Sequence, residues 1–255
     1  YFKANFSGKL ESLFTSPKVV GKTSLVFGNN VPTDSVSTFN LISLAYQDDL
    51  KVMADVELSD KEFNASNVTV SSNSITGANG GVSYTYGDAQ EFVADMTVDQ
   101  FNIDQFVHIE SSQKQNNLSA VAVLEGLIRP IINNFNFNLS KSSTGSLKFN
   151  VKQMNFKKEE IKNLNFDVNI GDNQMMVNDF SVSMPGEGTI KILGSVTHNQ
   201  IRPRFYGSME FNVKQFDQFR KWLNLEVSED LVKNAPSMNF KSEVSLIPRN
   251  IKFEK

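Results

Sequence analysis

The chain has no cysteine, and only two histidines, one tryptophan and seven prolines among its 255 residues. Without cysteine there is no disulfide staple, no thiolate metal site and no Cys nucleophile. His108 and His198 stand far apart, in neither HxxxH nor HxH spacing, and read as surface or turn residues rather than metal ligands. No GxSxG elbow supports a serine hydrolase. No window reaches the ~18 uncharged apolar residues that a membrane-spanning helix needs. A formal net charge of −3 with no basic block argues against nucleic acid as a partner. No signal peptide opens the chain either. YFKANFSGKL already reads as a strand interior, which points to a fragment that has lost an N-terminal anchor.

What is present is alternation. Side chains of a strand face opposite ways in turn, so a sheet covered on one side shows an apolar residue at every second position. Leu147, Phe149 and Val151 alternate with Lys148, Asn150 and Lys152. Leu164, Phe166, Val168 and Ile170 do the same against Asn165, Asp167 and Asn169. Phe180, Val182 and Met184 follow, then Ile190 and Ile192, then Phe205, Met209, Phe211 and Val213. The period then changes. Phe216, Phe219 and Trp222 recur every third residue, as along one side of a short helix that should turn Arg220 and Lys221 to water.

The pattern occurs twice. FVADMTVDQFNIDQFV over 92–107 matches FYGSMEFNVKQFDQFR over 205–220 at an offset of 113, which also carries Gly81 onto Gly194 and Asp104 onto Asp217. Upstream, DVELSDKEFNASNVTVSS resembles DVNIGDNQMMVNDFSVSM once a one-residue gap is allowed. These agreements predict a tandem β repeat. N-terminal strands over 1–35 complete the first sheet, and a first unit covers 36–110. A linker over 111–144 holds a helix over 118–132. A second unit covers 145–225, and a helix and closing strand occupy 226–255. Within the first unit, 38–46 and 50–58 read as a hairpin. Asp48-Asp49 serves its turn better than it serves catalysis.

Other motifs carry less. VVGKTS over 19–24 lacks the glycine that a phosphate-binding loop needs five positions earlier, where Ser16 stands. The five Asn-x-Ser/Thr sequons are what an Asn- and Ser-rich chain contains by chance. The stripe of Leu118, Val121, Leu124, Leu127, Ile128 and Ile131 fits a helix lying on the sheet rather than in a membrane, given Glu125 and Arg129.

Laid out in this way, FNLISLAYQDD, NVTVSSNSITGANGGVSYTY, FVADMTVDQFNIDQF and the run from LKFNVKQMNF to GTIKILGSVTH resemble the AsmA family of bacterial envelope proteins, which includes TamB-like proteins. The likeness spans residues 36–246. It implies repeated β units that form an elongated groove conducting phospholipid between membranes. It also implies a periplasmic location, an inner-membrane anchor that this sequence lacks, and envelope protein partners.

The fold expected is therefore mainly β: repeated antiparallel units in an elongated curved sheet or groove, with a few short helices. A one-sided apolar sheet with so few helices either folds into a sandwich or holds an apolar ligand. The function expected is non-enzymatic binding of acyl lipid, with no cofactor, no metal and no covalent chemistry. Val56, Val70, Phe92 and Met96 are its floor in the first unit. Phe149, Val151, Phe166, Val168, Phe180, Val182, Met209 and Phe211 are its floor in the second. The rival is a structural or adhesive β-sandwich that binds protein partners. An envelope hydrolase ranks last, although paired carboxylates that meet only in three dimensions would leave no trace in sequence.

Overall fold

The computed structural model describes residues 2–12, 14–28, 49–105, 143–171, 174–199, 202–225, 227–247 and 250–254. Its strands are β1 (Phe2–Glu11), β2 (Lys18–Phe27), β3 (Lys51–Ser59), β4 (Glu62–Ser71), β5 (Ile75–Thr76), β6 (Ala78–Thr85) and β7 (Gln90–Asn102). They continue as β8 (Ser143–Phe156), β9 (Glu159–Gly171), β10 (Gln174–Met184), β11 (Gly188–Asn199), β12 (Arg202–Val213), β13 (Met238–Ile247) and β14 (Asn250–Glu254). Two helices, α1 (Phe216–Leu223) and α2 (Glu229–Asn234), lie between β12 and β13. The hairpin partner expected over 38–46 and the helix expected over 118–132 lie outside the described residues.

Thirteen strands pair in one path, each with its neighbour in chain order, and the two-residue β5 adds to β7. The sheet is open and does not close into a barrel. Every junction is antiparallel except one: β7 and β8 run parallel, Phe92 beside Gly145 and Val98 beside Val151. That pair joins the two alternating runs recognised in the sequence, each of which is antiparallel within itself.

Local chemistry explains where the chain turns. Lys157 and Lys158, between β8 and β9, both have left-handed φ (53° and 64°), the geometry of a two-residue hairpin turn. Asp104 lies in the 3-10 turn Ile103–Gln105 that follows β7, and its carboxylate accepts the backbone N–H of Lys157 at 2.5 Å and of Lys158 at 2.8 Å. Its counterpart at the offset of 113, Asp217, instead pairs with Arg220 and Lys221 within α1. There it sits at the positive end of the helix dipole. At the other end, Asn224 takes a left-handed conformation, and the N–H groups of Asn224 and Leu225 close on the carbonyls of Lys221 and Arg220.

α1 packs on the sheet as its three-residue spacing requires. Phe216 and Phe219 are buried, and Phe219 meets Phe211 edge-on at 5.4 Å. Trp222 is half-buried against Phe219 and Phe156, and its Nε1 donates to the Phe156 carbonyl at 3.1 Å. Lys221 faces water as expected, but Arg220 does not fully. Its guanidinium turns back onto Asp217 at 2.6 Å, leaving Nε sealed without a partner. The chain also continues past the strand expected to close it: β14 pairs with β13.

Two bulges punctuate the sheet at matching places. In β4 the register shifts between Ala65 and Val68, and in β10 between Val177 and Phe180. The offset is 112 at both ends, the same one-residue gap seen in the sequence. Asn67 supplies the left-handed residue in the first (φ 49°), a conformation Asn tolerates better than most side chains.

Candidate functional site

Strand pairing converts the alternation of single strands into rows that run across the sheet. One row reads Leu10, Val19, Leu58, Phe63, Tyr84, Phe92, Gly145, Ile170, Met175, Val196, Phe205, Leu246 and Ile251. The next reads Gly8, Gly21, Val56, Ala65, Val82, Ala94, Leu147, Val168, Val177, Gly194, Gly207, Val244 and Phe253. Apart from one tyrosine hydroxyl, neither row contains a polar side chain in thirteen strands. At the usual spacing between strands, such a band is about 58 Å long, measured along the sheet.

The residues expected to form a floor share this face. Met96, Phe149, Phe166, Phe180, Ile192 and Met209 make a third row over six strands, with Phe166 edge-on to Phe180 at 6.4 Å. Val56 and Val168 stand in the second row and Phe92 in the first. Val70, Val151, Val182 and Phe211 extend the same apolar phase toward the other end of the strands.

Their burial divides them. Val151, Val168, Met209 and Phe211 are sealed, at 1%, 0%, 2% and 6% exposure. Val168, Met209 and Phe211 belong to a large cluster that also takes in Phe216 and Phe219 of α1. Val56, Val70, Phe92, Met96, Phe149, Phe166, Phe180 and Val182 are only half-buried.

In the first unit the buried side chains are small, Val68 and Val98 being the largest of them. Ala54, Ala65, Ala78 and Ala94 are buried, whereas Val52, Val56, Phe63, Val70 and Met96 around them stay partly exposed. Small side chains disappear under their larger neighbours, and the larger ones stay partly exposed. Toward the β1 edge exposure rises further, to 53% at Phe6, 52% at Leu10 and 41% at Leu58. A sandwich core would bury the large side chains first. The single open sheet therefore replaces the sandwich alternative.

The opposite face is polar and organised. Lys22, Asp55 and Asn67 link β2, β3 and β4, with Lys22 to Asp55 at 2.9 Å and Asn67 to Asp55 at 2.8 Å. The lysine and then the amide hold the Asp55 carboxyl below its usual range. Lys148, Asp167 and Asn178 repeat the arrangement over β8, β9 and β10, at 3.8 Å and 3.0 Å. Further along, Glu210 is held low by Lys241, with a smaller contribution from Lys191, and Glu187 is held low by Lys214 and Gln215.

Among the described residues no three His, Cys, Asp or Glu side chains gather to hold a metal. None of the described helices is long and apolar enough to cross a membrane. His108 lies outside the described residues, and VVGKTS is strand β2, with Gly21 paired to Gly8 and Val56 rather than cradling an anion.

Compared with protein-family models, with curated proteins and with solved structures, the chain matches none. The likeness to AsmA proteins rests on the alternation and glycine pattern of the sequence.

Proposed function

We infer that this chain is a non-enzymatic lipid-handling module. Acyl chains lie along the apolar band while headgroups stay at its wet margin. The observation that carries the reading is the unbroken apolar rows over thirteen strands, whose larger side chains remain partly exposed across the first unit. Removing such a surface from water is favourable by about 25 cal/mol per Å2, and an extended hydrocarbon chain can do so without any matched polar group. No step of this activity makes or breaks a bond, so no residue needs a nucleophilic or acid–base role.

The eight half-buried residues of the expected floor are the contacts. Val151, Val168, Met209 and Phe211 lie sealed on the same face and hold the protein's own packing. The role in a cell that agrees with the AsmA likeness is phospholipid movement between the inner and outer membranes of a bacterial envelope. The module would then stand in the periplasm, tethered through an inner-membrane helix and working with other envelope proteins.

Native mass spectrometry of protein purified without detergent tests the reading. Adducts of phospholipid mass, extractable into organic solvent and identified as acyl lipids, are expected. A chain that stays lipid-free after purification and after incubation with phospholipid vesicles is not a lipid carrier.

A further inference from the structure

The polar face holds a second site. A depression of about 430 Å3 opens over β9 to β13. Its polar lining residues come from the phase opposite to the apolar band, and Val182, Ile190 and Phe211 line it from the alternate positions of the same strands. Asn165, Ser181, Lys191, Glu210 and Lys241 form one row in direct register, and Ser183, Thr189, Asn212 and Asn239 form the next. The two rows differ in how they are satisfied.

The first row is held in place by its own partners. Asn150 donates to Asn165, Asn165 to Ser181 at 3.1 Å, Ser181 to Asp179 at 3.2 Å, and Lys241 pairs with Glu210. Among the described residues, the side chains of the second row have no hydrogen-bond partner. Beside this fixed polar wall, β10 to β13 present a line of two hydroxyls and two amides that no described residue satisfies. The four strands β10 to β13 span about 14 Å, with one of these uncharged side chains at each step of about 4.8 Å.

The geometry points to a polysaccharide strand, lying perpendicular to the β-strands, as the ligand of this trough. Each sugar hydroxyl both donates and accepts, and Ser, Thr and Asn are the side chains that do both without charge. The repeat of the sheet offers one such group per strand, comparable to the length of one hexose residue. The single carboxylate lies against two lysines, so the site does not demand an ion of either sign. The site lies on the face away from the apolar band and does not rest on the lipid reading. An envelope module with both faces occupied would hold lipid on one and glycan on the other.

Backbone amide NMR shifts recorded on the full chain test this, with maltohexaose, cellohexaose, chitohexaose and inorganic phosphate as separate probes at millimolar concentration. At least one oligosaccharide is expected to move Ser183, Thr189, Asn212 and Asn239 together. The double variant Asn212→Ala/Asn239→Ala, which removes only exposed amides, should keep its urea midpoint and lose at least tenfold in affinity. Silence with all three oligosaccharides overturns the assignment. So do shifts that survive the double variant, or a response to phosphate alone, which would make Lys191 and Lys241 an anion site.

Discussion

Asn67 reaches from the bulge of β4 to hydrogen-bond Asp55 on β3 at 2.8 Å, and Asn178 makes the same bond from the bulge of β10 to Asp167 on β9 at 3.0 Å. In each case a lysine on the preceding strand approaches the same carboxylate. The backbones differ: Asn67 is left-handed and Asn178 is not. Replacing Asn67 with Ala should therefore cost about 1–2 kcal/mol, from the lost bond and the left-handed strain. Gly at 67 should cost less, because it carries no such strain. At 178 the order should reverse. Urea midpoints of the four variants check this, and equal ranking at both sites would mean that the bulge geometry is not the cause.

Acid should weaken the fold through the polar face. Asp55, Glu187, Glu210 and Asp217 each have a carboxyl held below its usual range by a basic partner in the folded chain. The unfolded chain then binds more protons in acid, so the stabilisation is whole above the ordinary carboxylate range, about pH 4, and is lost as pH falls through the lower folded values. Thermal melts at stepped pH should show the loss below about pH 4. Lys22→Gln should make that limb shallower, since it removes the largest cause at Asp55. An unchanged slope would deny Asp55 this role.

Trp222 joins α1 to the turn after β8. Trp222→Phe keeps an aromatic ring edge-on to Phe219 and loses the bond to the Phe156 carbonyl, which should cost about 1 kcal/mol. Trp222→Ala should cost about 3 kcal/mol, the low end for aromatic truncation because the ring is only half-buried. Chemical denaturation measures both. Two equal losses would show that the indole N–H carries the whole contribution and that the ring packs against nothing.

The apolar band can be probed by placing a charge at its open and at its sealed part. Val56 is half-buried in the first unit, and Val168 has no exposure at all. Val56→Asp should stay folded by circular dichroism and recover less lipid, because its carboxylate can reach water. Val168→Asp should unfold the second unit, where the charge has no escape. A folded Val56→Asp that carries as much lipid as the parent would separate the band from lipid binding.

The sequence by itself determined which residues share a face. Alternation of Leu164, Phe166, Val168 and Ile170 with polar neighbours is a local property of extended backbone, and so is the three-residue spacing of Phe216, Phe219 and Trp222. It also carried the repeat and the one-residue gap within it. Only the tertiary structure decided how those faces line up. The parallel junction of β7 and β8, the unbroken apolar rows from Leu10 to Phe205, and the meeting of Ser183, Thr189, Asn212 and Asn239 on one trough all depend on register between strands. The Asn residues at outward positions were visible in the sequence, but periodicity does not say which of them become neighbours. Register is set by hydrogen bonding and packing between strands separated along the chain, and a shift of one residue would turn a whole strand over. For the same reason the division between an open first unit and a sealed second one is not written in the pattern, which is alike in both. It follows from what packs above each face, and α1 stands over only one of them.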